Sequence, residues 1–156
     1  MSIVALDPGI STGIAIYFDN KYTFKTIVND LDVIYKFLIK ENPEVIVYEA
    51  FKHRPRMDKA ELYSAEVIGV VKLYAQQYRV PTDNYLPSQA KAFWDMSKIK
   101  RLRLWKPGRA YIHEMDALRV LLTYRMQNDE AFAADIPYTL IGKGEGWGEP
   151  RKSIVT

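Results

Sequence analysis

Three acidic side chains stand in this sequence where the surrounding residues are apolar. Asp7 ends the apolar run 3–7, Glu49 lies near the end of a second run over 44–51, and Asp116 lies inside an apolar helical segment. Each acid alone is more often a helix cap or a residue that reaches the surface. Together, buried like charges raise one another's pKa and destabilise the fold unless a cation offsets their repulsion. Carboxylate oxygens are the ligands that Mg²⁺ and Mn²⁺ prefer, so the three acids predict a divalent-cation site.

A histidine near Asp116 is the fourth candidate for this site. At about 100° per residue, His113 lies only about 60° around the helix from Asp116, whereas Glu114 lies about 160° away and is expected on another face, near Arg125. A lone histidine is usually a hydrogen-bonded structural residue. The spacing between His113 and a buried aspartate favours a role in the site.

Basic residues border the acids in sequence, as expected if phosphate groups are drawn over a metal site. One cluster spans 52–59, directly after Glu49, and the other spans 98–109 and holds six basic residues and no acid. Two cations held by carboxylates about 4 Å apart can activate water and stabilise the leaving oxygen in phosphodiester cleavage. The predicted DNA-binding residues are Lys52, Arg54, Arg56, Lys98, Lys100, Arg101, Arg103, Lys106 and Arg109.

Apolar residues interleave the second basic cluster, which argues against a solvated linker. They are Leu102, Leu104 and Trp105. The aromatic residues Phe51, Trp94 and Trp105 are candidates for stacking on unpaired bases, although each type is more often a packing residue.

The size and composition of the chain suit one compact domain, with 156 residues of which 48% are hydrophobic. The absence of cysteine excludes a disulfide framework, a thiol nucleophile and a zinc-cysteine site. The sequence shows no basic leader and no apolar run near the roughly 20 residues of a membrane span. We therefore expect a soluble cytoplasmic protein with no membrane contact.

Strand and helix patterns follow one another in the order β-β-β-α-β-α-β-α-α, which predicts a mixed sheet covered by helices on both faces. The first and fourth strands of such a sheet are often neighbours, so Asp7 and Glu49 are expected to converge at one edge. We expect a single domain over residues 1–140. The Gly-rich tail over 141–156 has the composition of a mobile chain end.

These motifs resemble those of the RuvC-type Holliday-junction resolvases of the ribonuclease H-like superfamily. The resemblance extends over residues 1–125 and rests on "ALDPGISTGIAI", "VIVYEAF" and "HEMDALRVLL". It implies an α/β fold, the ribonuclease H-like mixed five-stranded sheet with helices on both faces. It also implies a dimeric, divalent-metal-dependent endonuclease that nicks two opposed strands of a four-way DNA junction symmetrically.

Carried over residue by residue, the resemblance implies that Asp7, Glu49, His113 and Asp116 are both metal-binding and catalytic. Many family members have another aspartate at the position of His113, and some have histidine. The implied cofactor is Mg²⁺, with two ions per active site and Mn²⁺ able to substitute, and no nucleotide cofactor is expected. If His113 is a ligand or general base, activity should fall as its imidazole protonates at acidic pH.

The resemblance also bears on a turn and on a helix. In the turn "PGISTG", Gly9 and Gly13 are expected to allow a close approach of backbone beside the metals. The long helical pattern over 60–78 corresponds to the dimer helix of the family, so we expect a homodimer whose twofold axis matches that of the junction. The chain is short for the family and lacks a clear match for its base-contacting residues, which leaves the cleavage sequence open. Its compactness suits a phage member acting in the cytoplasm of a bacterial or phage-infected cell.

Three other functions remain compatible with the sequence. "DPGISTG" also resembles the phosphate loop of the sugar kinase and actin-like ATPases, but those enzymes close two such domains on the nucleotide. A nuclease of the same fold acting on flap or branched DNA, or on RNA:DNA hybrids, would use the same chemistry with a different surface. A non-catalytic junction-binding module is the third alternative.

Overall fold

A five-stranded mixed sheet forms the centre of the protein. The structure is a computed structural model that describes the backbone of residues 1–140 and the side chains of residues 1–136. The strands are β1 (Ile3–Asp7), β2 (Ser11–Phe18), β3 (Lys21–Val28), β4 (Val45–Glu49) and β5 (Thr82–Tyr85), in the spatial order β3-β2-β1-β4-β5. Strand β2 pairs antiparallel with β1 and β3, and β4 pairs parallel with β1 and β5. The predicted fold class is therefore confirmed.

Helices cover both faces of this sheet. They are α1 (Leu31–Glu41), α2 (Lys59–Tyr78), α3 (Pro87–Phe93), α4 (Met96–Arg101), α5 (Ile112–Asn128) and α6 (Glu130–Leu140), and a 3₁₀ turn over Arg109–Tyr111 precedes α5. Helices α1 and α2 cover one face, and α3 to α6 cover the other. None of the helices in the described part of the chain has the length and apolar character needed to span a bilayer.

Two of these helices, α4 and α6, are absent from the predicted order. In α4 only Ile99 is buried, so the segment has no apolar periodicity to reveal it, and its start depends on Asp95, which accepts a hydrogen bond from the backbone N–H of Lys98. Helix α6 begins in the same way: Asp129, the residue before it, accepts a hydrogen bond from the backbone N–H of Phe132. The predicted tail over 141–156 lies outside the described residues.

The alternation of side chains along each strand separates two apolar cores. In β1, Ile3 and Ala5 face α5, whereas Val4 and Leu6 face α1 and α2. The same period of two places Asp7 on the α5 face of the sheet. In β4, Val47 faces α5, and Glu49 follows it two residues later. Both strand-end acids therefore belong to the face that α5 covers.

The first turn of α5 lies directly on β2 at Gly13. A Cβ atom at this position would overlap the carbonyl group of His113 and would lie 2.6 Å from the backbone nitrogen of Glu114. At Gly9, by contrast, the nearest atom to such a Cβ is the carbonyl oxygen of Ser11 at 3.4 Å, which is an ordinary contact. The close approach at Gly13 is therefore to the first turn of a helix, and Gly9 has no comparably close neighbour among the described residues.

The other end of α5 is fixed by a buried arginine. The Nε and Nη2 groups of Arg125 donate to Oδ2 of Asp129 at 3.2 and 2.7 Å, and Nη1 donates to the hydroxyl of Tyr22. The guanidinium group also lies 3.8 Å from the ring centre of Tyr17 and 4.1 Å from that of Phe132. Burial acts to raise the pKa of Asp129, but the hydrogen bonds from the Phe132 N–H and from Arg125 lower it overall.

Replacing Gly13 with alanine should displace the first turn of α5. We expect Gly13→Ala to lower the free energy of unfolding by about 2–3 kcal/mol, since backbone atoms have to move to accept the methyl group. Urea denaturation of Gly13→Ala and of the control Gly9→Ala measures this cost. The proposed packing is wrong if the two variants are equally stable.

Candidate active site

Asp7 and Glu49 lie side by side at the ends of two neighbouring parallel strands. Leu6 of β1 pairs with Tyr48 of β4, and the two acids are the next residues of their strands. Asp7 is only 8% exposed and Glu49 is half-buried. The predicted convergence of these carboxyl groups therefore follows from the register of the sheet.

His113 brings the start of α5 into contact with Asp7. The Nδ1 atom of His113 lies 2.9 Å from Oδ2 of Asp7. An ionised carboxylate only accepts hydrogen bonds, so Nδ1 carries the proton and the Nε2 lone pair of a neutral imidazole stays available. The imidazole itself is half-exposed, with 47% of the side chain open to solvent. It can therefore reach a ligand or substrate outside the protein surface.

His113 and Glu114, which are adjacent in α5, contact the two strands that flank β2. Gly13 pairs with Asp7 on one side and with Thr26 of β3 on the other. His113 reaches across to Asp7, and Oε1 of Glu114 accepts a long hydrogen bond of 3.5 Å from the Thr26 hydroxyl. The other oxygen, Oε2, is buried with no hydrogen-bond partner among the described residues.

The prediction that Glu114 lies near Arg125 is wrong. Glu114 does lie on another face of the helix from the site, but its contact is with Thr26 and not with Arg125. Arg125 pairs with Asp129 one turn further along the chain. The spacing of residues along the helix correctly predicted the face on which Glu114 lies. It could not predict that Thr26 of β3 lies opposite that face.

Two basic side chains hold the carboxylate of Asp116, whose side chain is 13% exposed. The Nη1 group of Arg119 donates to Oδ1 at 2.7 Å, and Nζ of Lys91 on α3 lies 3.3 Å from Oδ2. Helical spacing accounts for the first pair, since residues three apart lie on one face. The second pair joins α5 to α3, and so places Asp116 between two helices.

The carboxyl groups of the site share one electrostatic environment. Burial is the main cause that raises the pKa of Asp7 to about 6, against the hydrogen bond from His113, and the charge of Asp116 raises it further. Burial also raises the pKa of Glu49 to about 7, and the charges of Asp7 and Asp116 add to this effect. Lys91 and Arg119 oppose the increase at Glu49. The site therefore holds more negative charge than its own cations balance.

The chemistry of these donors fits a hard divalent cation. Carboxylate oxygens and one imidazole nitrogen face a common region, and burial and mutual repulsion make a further positive charge favourable there. Within residues 1–136, no group of three or more His, Asp or Glu side chains already has the spacing to hold an ion. Binding would therefore require the side chains to move together, and Asp116 would have to exchange at least one of its present contacts.

An open groove of about 520 Å³ is lined by Glu49 and by part of the first basic cluster. Pro8 and Glu49 form one end of it, and Phe51 and Leu86 contribute apolar walls. Of the predicted DNA-binding residues, Lys52, Arg54 and Arg56 are all exposed in the loop between β4 and α2. Arg54 forms an ion pair with Glu61 in the first turn of α2.

The second basic cluster is divided between packing and solvent. Nζ of Lys98 donates to the carbonyl of Phe93 at 2.8 Å, and Nζ of Lys106 lies 4.7 Å from the ring centre of Phe24. These two side chains are half-buried. The other predicted residues of this cluster, Lys100, Arg101, Arg103 and Arg109, are exposed.

The aromatic candidates for base stacking have different environments. Trp94 is fully buried in the core beneath α3 and cannot stack on a base, so that expectation is wrong. Trp105 is partly buried against the same core, and Phe51 is partly buried against the opposite one.

Lys91 and Arg119 are site residues that the sequence analysis did not identify. An arginine three residues after Asp116 on the same helix is a readable signal for Arg119. Lys91 lies 25 residues from Asp116 in a short helix, and only the packing of α3 against α5 brings it there.

The strand order and the helices on both faces give the chain a ribonuclease H-like α/β fold. No protein-family model matches the sequence, and no curated protein matches it. Among solved structures, Thermus thermophilus RuvC in complex with a Holliday junction substrate has 20% sequence identity and a TM-score of 0.62, over 87% of this chain and 96% of that one. Another structure of T. thermophilus RuvC has 19% identity and a TM-score of 0.55, over the same shares of the two chains. The yeast mitochondrial Holliday junction resolvase has 15% identity and a TM-score of 0.43, over 88% of this chain and 76% of that one. The chain therefore has the fold of RuvC, which confirms the expected resemblance at the level of the fold.

Asp7→Asn should stabilise the metal-free protein at alkaline pH. Because the pKa of Asp7 is about 6 in the folded protein, folding is favoured while the carboxyl is protonated, and this contribution is lost as pH rises through about 6. In EDTA at pH 8 we expect Asp7→Asn to exceed wild type by on the order of 2–3 kcal/mol in urea denaturation, with a smaller difference at pH 4.5. Asp19→Asn, at an exposed turn, is the control. A variant advantage that does not grow with pH would contradict the burial of charge at Asp7.

Proposed function

We propose that this protein is a divalent-metal-dependent endonuclease that resolves four-way (Holliday) DNA junctions by paired symmetric nicks. The observation that carries the proposal is the group of Asp7, Glu49 and Asp116 at one edge of a RuvC fold, where the burial of Asp7 and Glu49 and the repulsion among the acids favour a bound cation. The similarity to a RuvC structure that contains a Holliday junction substrate supports the choice of DNA. Exposed cations on both sides of the acids supply the surface that its phosphates require.

Each residue of the site has a part in this proposal. Asp7, Glu49, Asp116 and His113 would hold two Mg²⁺ ions, with Mn²⁺ able to substitute, and these are also the catalytic residues. The ions would supply an activated water and stabilisation of the leaving oxygen. Nε2 of His113 is suited to bind an ion or to accept a proton, because Nδ1 is committed to Asp7. Lys91 adds a positive charge that a scissile phosphate can share.

The basic residues would position the DNA backbone. Lys52 and Arg54 line the groove that includes Glu49, and Arg56 is exposed in the same loop. Arg54 would exchange Glu61 for a phosphate. The exposed members of the second cluster would contact a different part of the backbone, and Lys98 and Lys106 would mainly support the fold. Phe51 in the groove is suited to contact an unpaired base at the branch point.

A homodimer would place two such sites on opposed strands. Helix α2 exposes two leucines, Leu62 and Leu73, which are 11 residues apart and so lie on the same side of the helix. A twofold axis along this side of α2 would relate two active sites, and a four-way junction has the same symmetry. The dimer would thus account for nicks made in pairs.

The decisive experiment is cleavage of an end-labelled synthetic four-way junction, beside linear duplex, flap and RNA:DNA hybrid. We expect wild type to make paired nicks in the junction with Mg²⁺ or Mn²⁺ and none with EDTA. Asp7→Asn and Glu49→Gln should bind the junction and lose cleavage, with a fall in rate of at least about 10³-fold, because each removes a ligand for the ions.

The other outcomes identify the alternatives. Preferential cutting of the flap or hybrid would keep the metal chemistry and replace the substrate. Junction binding by wild type without cleavage under any metal would favour a non-catalytic binding module. Single nicks at unrelated positions on the two strands would contradict the paired mechanism.

Leu73→Glu should convert the dimer to a monomer. A buried, unpaired carboxylate in the proposed interface is strongly unfavourable, whereas Phe18→Glu places the same charge on an exposed apolar residue of β2 outside that interface. Sedimentation velocity at micromolar concentration should give a dimer for wild type and Phe18→Glu, and a monomer for Leu73→Glu. A monomeric wild type rules out this interface.

A further inference from the structure

The strongest contact in the site outside the four proposed ligands is made by Arg119. Its side chain is 15% exposed and donates in two directions. Nη1 donates to Oδ1 of Asp116 at 2.7 Å, and Nε donates to the backbone carbonyl of Trp94 at 2.8 Å. The guanidinium carbon also lies 5.9 Å from the ring centre of Trp105.

These contacts fix the guanidinium group more firmly than an ordinary surface ion pair. Trp94 is the C-cap residue directly after α3, at the end of the helix where carbonyl groups have no partner within the helix. Trp94 is itself fully buried, so this acceptor cannot move toward solvent. A planar guanidinium held by a rigid carbonyl presents its remaining donors in a set direction.

The two oxygens of Asp116 therefore differ in how easily they can be released. Oδ1 is bound by an enclosed arginine, whereas Oδ2 contacts Lys91, whose side chain is 50% exposed and whose contact is longer, at 3.3 Å. A lysine ammonium on a flexible stem is readily displaced into water. A cation entering the site would displace Lys91 and leave Arg119 in place.

We propose that Arg119 is a positioning residue that holds Asp116 by Oδ1, so that Oδ2 is directed to the metal. This inference rests on the metal-dependent function proposed above. Only Oδ2 of Asp116 would then be available to bind the metal. The position of that oxygen would also depend on Trp94 and Trp105, which flank the basic segment 98–104.

Two substitutions separate positioning from charge. Arg119→Lys keeps the positive charge but cannot donate to both Asp116 and the Trp94 carbonyl as a planar guanidinium does. Arg119→Gln removes the positive charge as well. If Arg119 acted only as a competing positive charge, Arg119→Gln would bind a divalent cation more tightly than wild type. Because Arg119 positions Asp116, both variants should bind it more weakly.

The experiment is titration of DNA-free protein with Mn²⁺, followed by electron paramagnetic resonance of the free ion. We expect both variants to lose about tenfold or more in Mn²⁺ affinity, the usual effect of removing a residue that orients a metal ligand. Their junction affinity in EDTA should stay at the wild-type level, and any cleavage defect should be in kcat and not in KM. Unchanged or tighter Mn²⁺ binding in both variants overturns the inference.

Arg125→Lys is the matched control for loss of stability. Arg125 lies on the same helix, is paired with Asp129 and is also enclosed by aromatic rings, but it is two turns from the site. We expect this variant to have a lower Tm and wild-type Mn²⁺ affinity. An equal loss of Mn²⁺ affinity in Arg125→Lys would assign the effect to general destabilisation.

A measurement on unmodified protein covers the case in which the Arg119 variants fail to fold. The Arg119 Nε–H signal in ¹⁵N NMR should remain slow to exchange when Mg²⁺ is added, since its bond to the Trp94 carbonyl persists. Loss of that protection on Mg²⁺ binding means that Arg119 is displaced, and overturns the inference. A wild-type protein that binds neither Mn²⁺ nor Mg²⁺ overturns the metal-dependent function together with it.

Discussion

The packing of the first turn of α5 on β2 at Gly13 determines the geometry of the whole site. Without a side chain at this position, the helix backbone lies against the strand, and His113 reaches Asp7 on one side while Glu114 reaches Thr26 on the other. Asp116 and Arg119 follow one turn later on the same helix, so their positions depend on the same contact. The sheet alone brings Asp7 and Glu49 together, but only the helix completes the group.

The site is assembled at a cost in folding free energy. Asp7 and Glu49 are desolvated and repel each other, as their raised pKa values indicate, whereas Asp116 is compensated by two basic side chains. A chain selected only for stability would replace the first two acids by neutral residues. Under the metal-dependent function proposed above, a bound cation would offset this cost. The remainder of the fold, with two apolar cores, tolerates this local loss.

The sequence was sufficient for the parts of the site that depend on strand periodicity. Asp7 and Glu49 each follow an apolar strand by the same period of two, so their common face and edge were predictable. The sequence was insufficient for contacts that depend on the packing of elements distant from one another along the chain. Lys91 reaches Asp116 only because α3 packs on α5, and the full burial of Trp94 depends on the same packing of helices on the sheet. Helix α4 could not be predicted, because its single buried residue gives no apolar periodicity.

The basic segment after α3 is better understood as two interleaved sets of residues than as one docking surface. Lys98 and Lys106 lie against the carbonyl and rings of neighbouring residues, and Trp105 contacts Arg119, so these side chains tie the segment to the core. The exposed members alternate with them along the chain. The packed set therefore ties this segment, through Trp105 and Arg119, to the carboxylate of Asp116, whereas the exposed set stays at the surface.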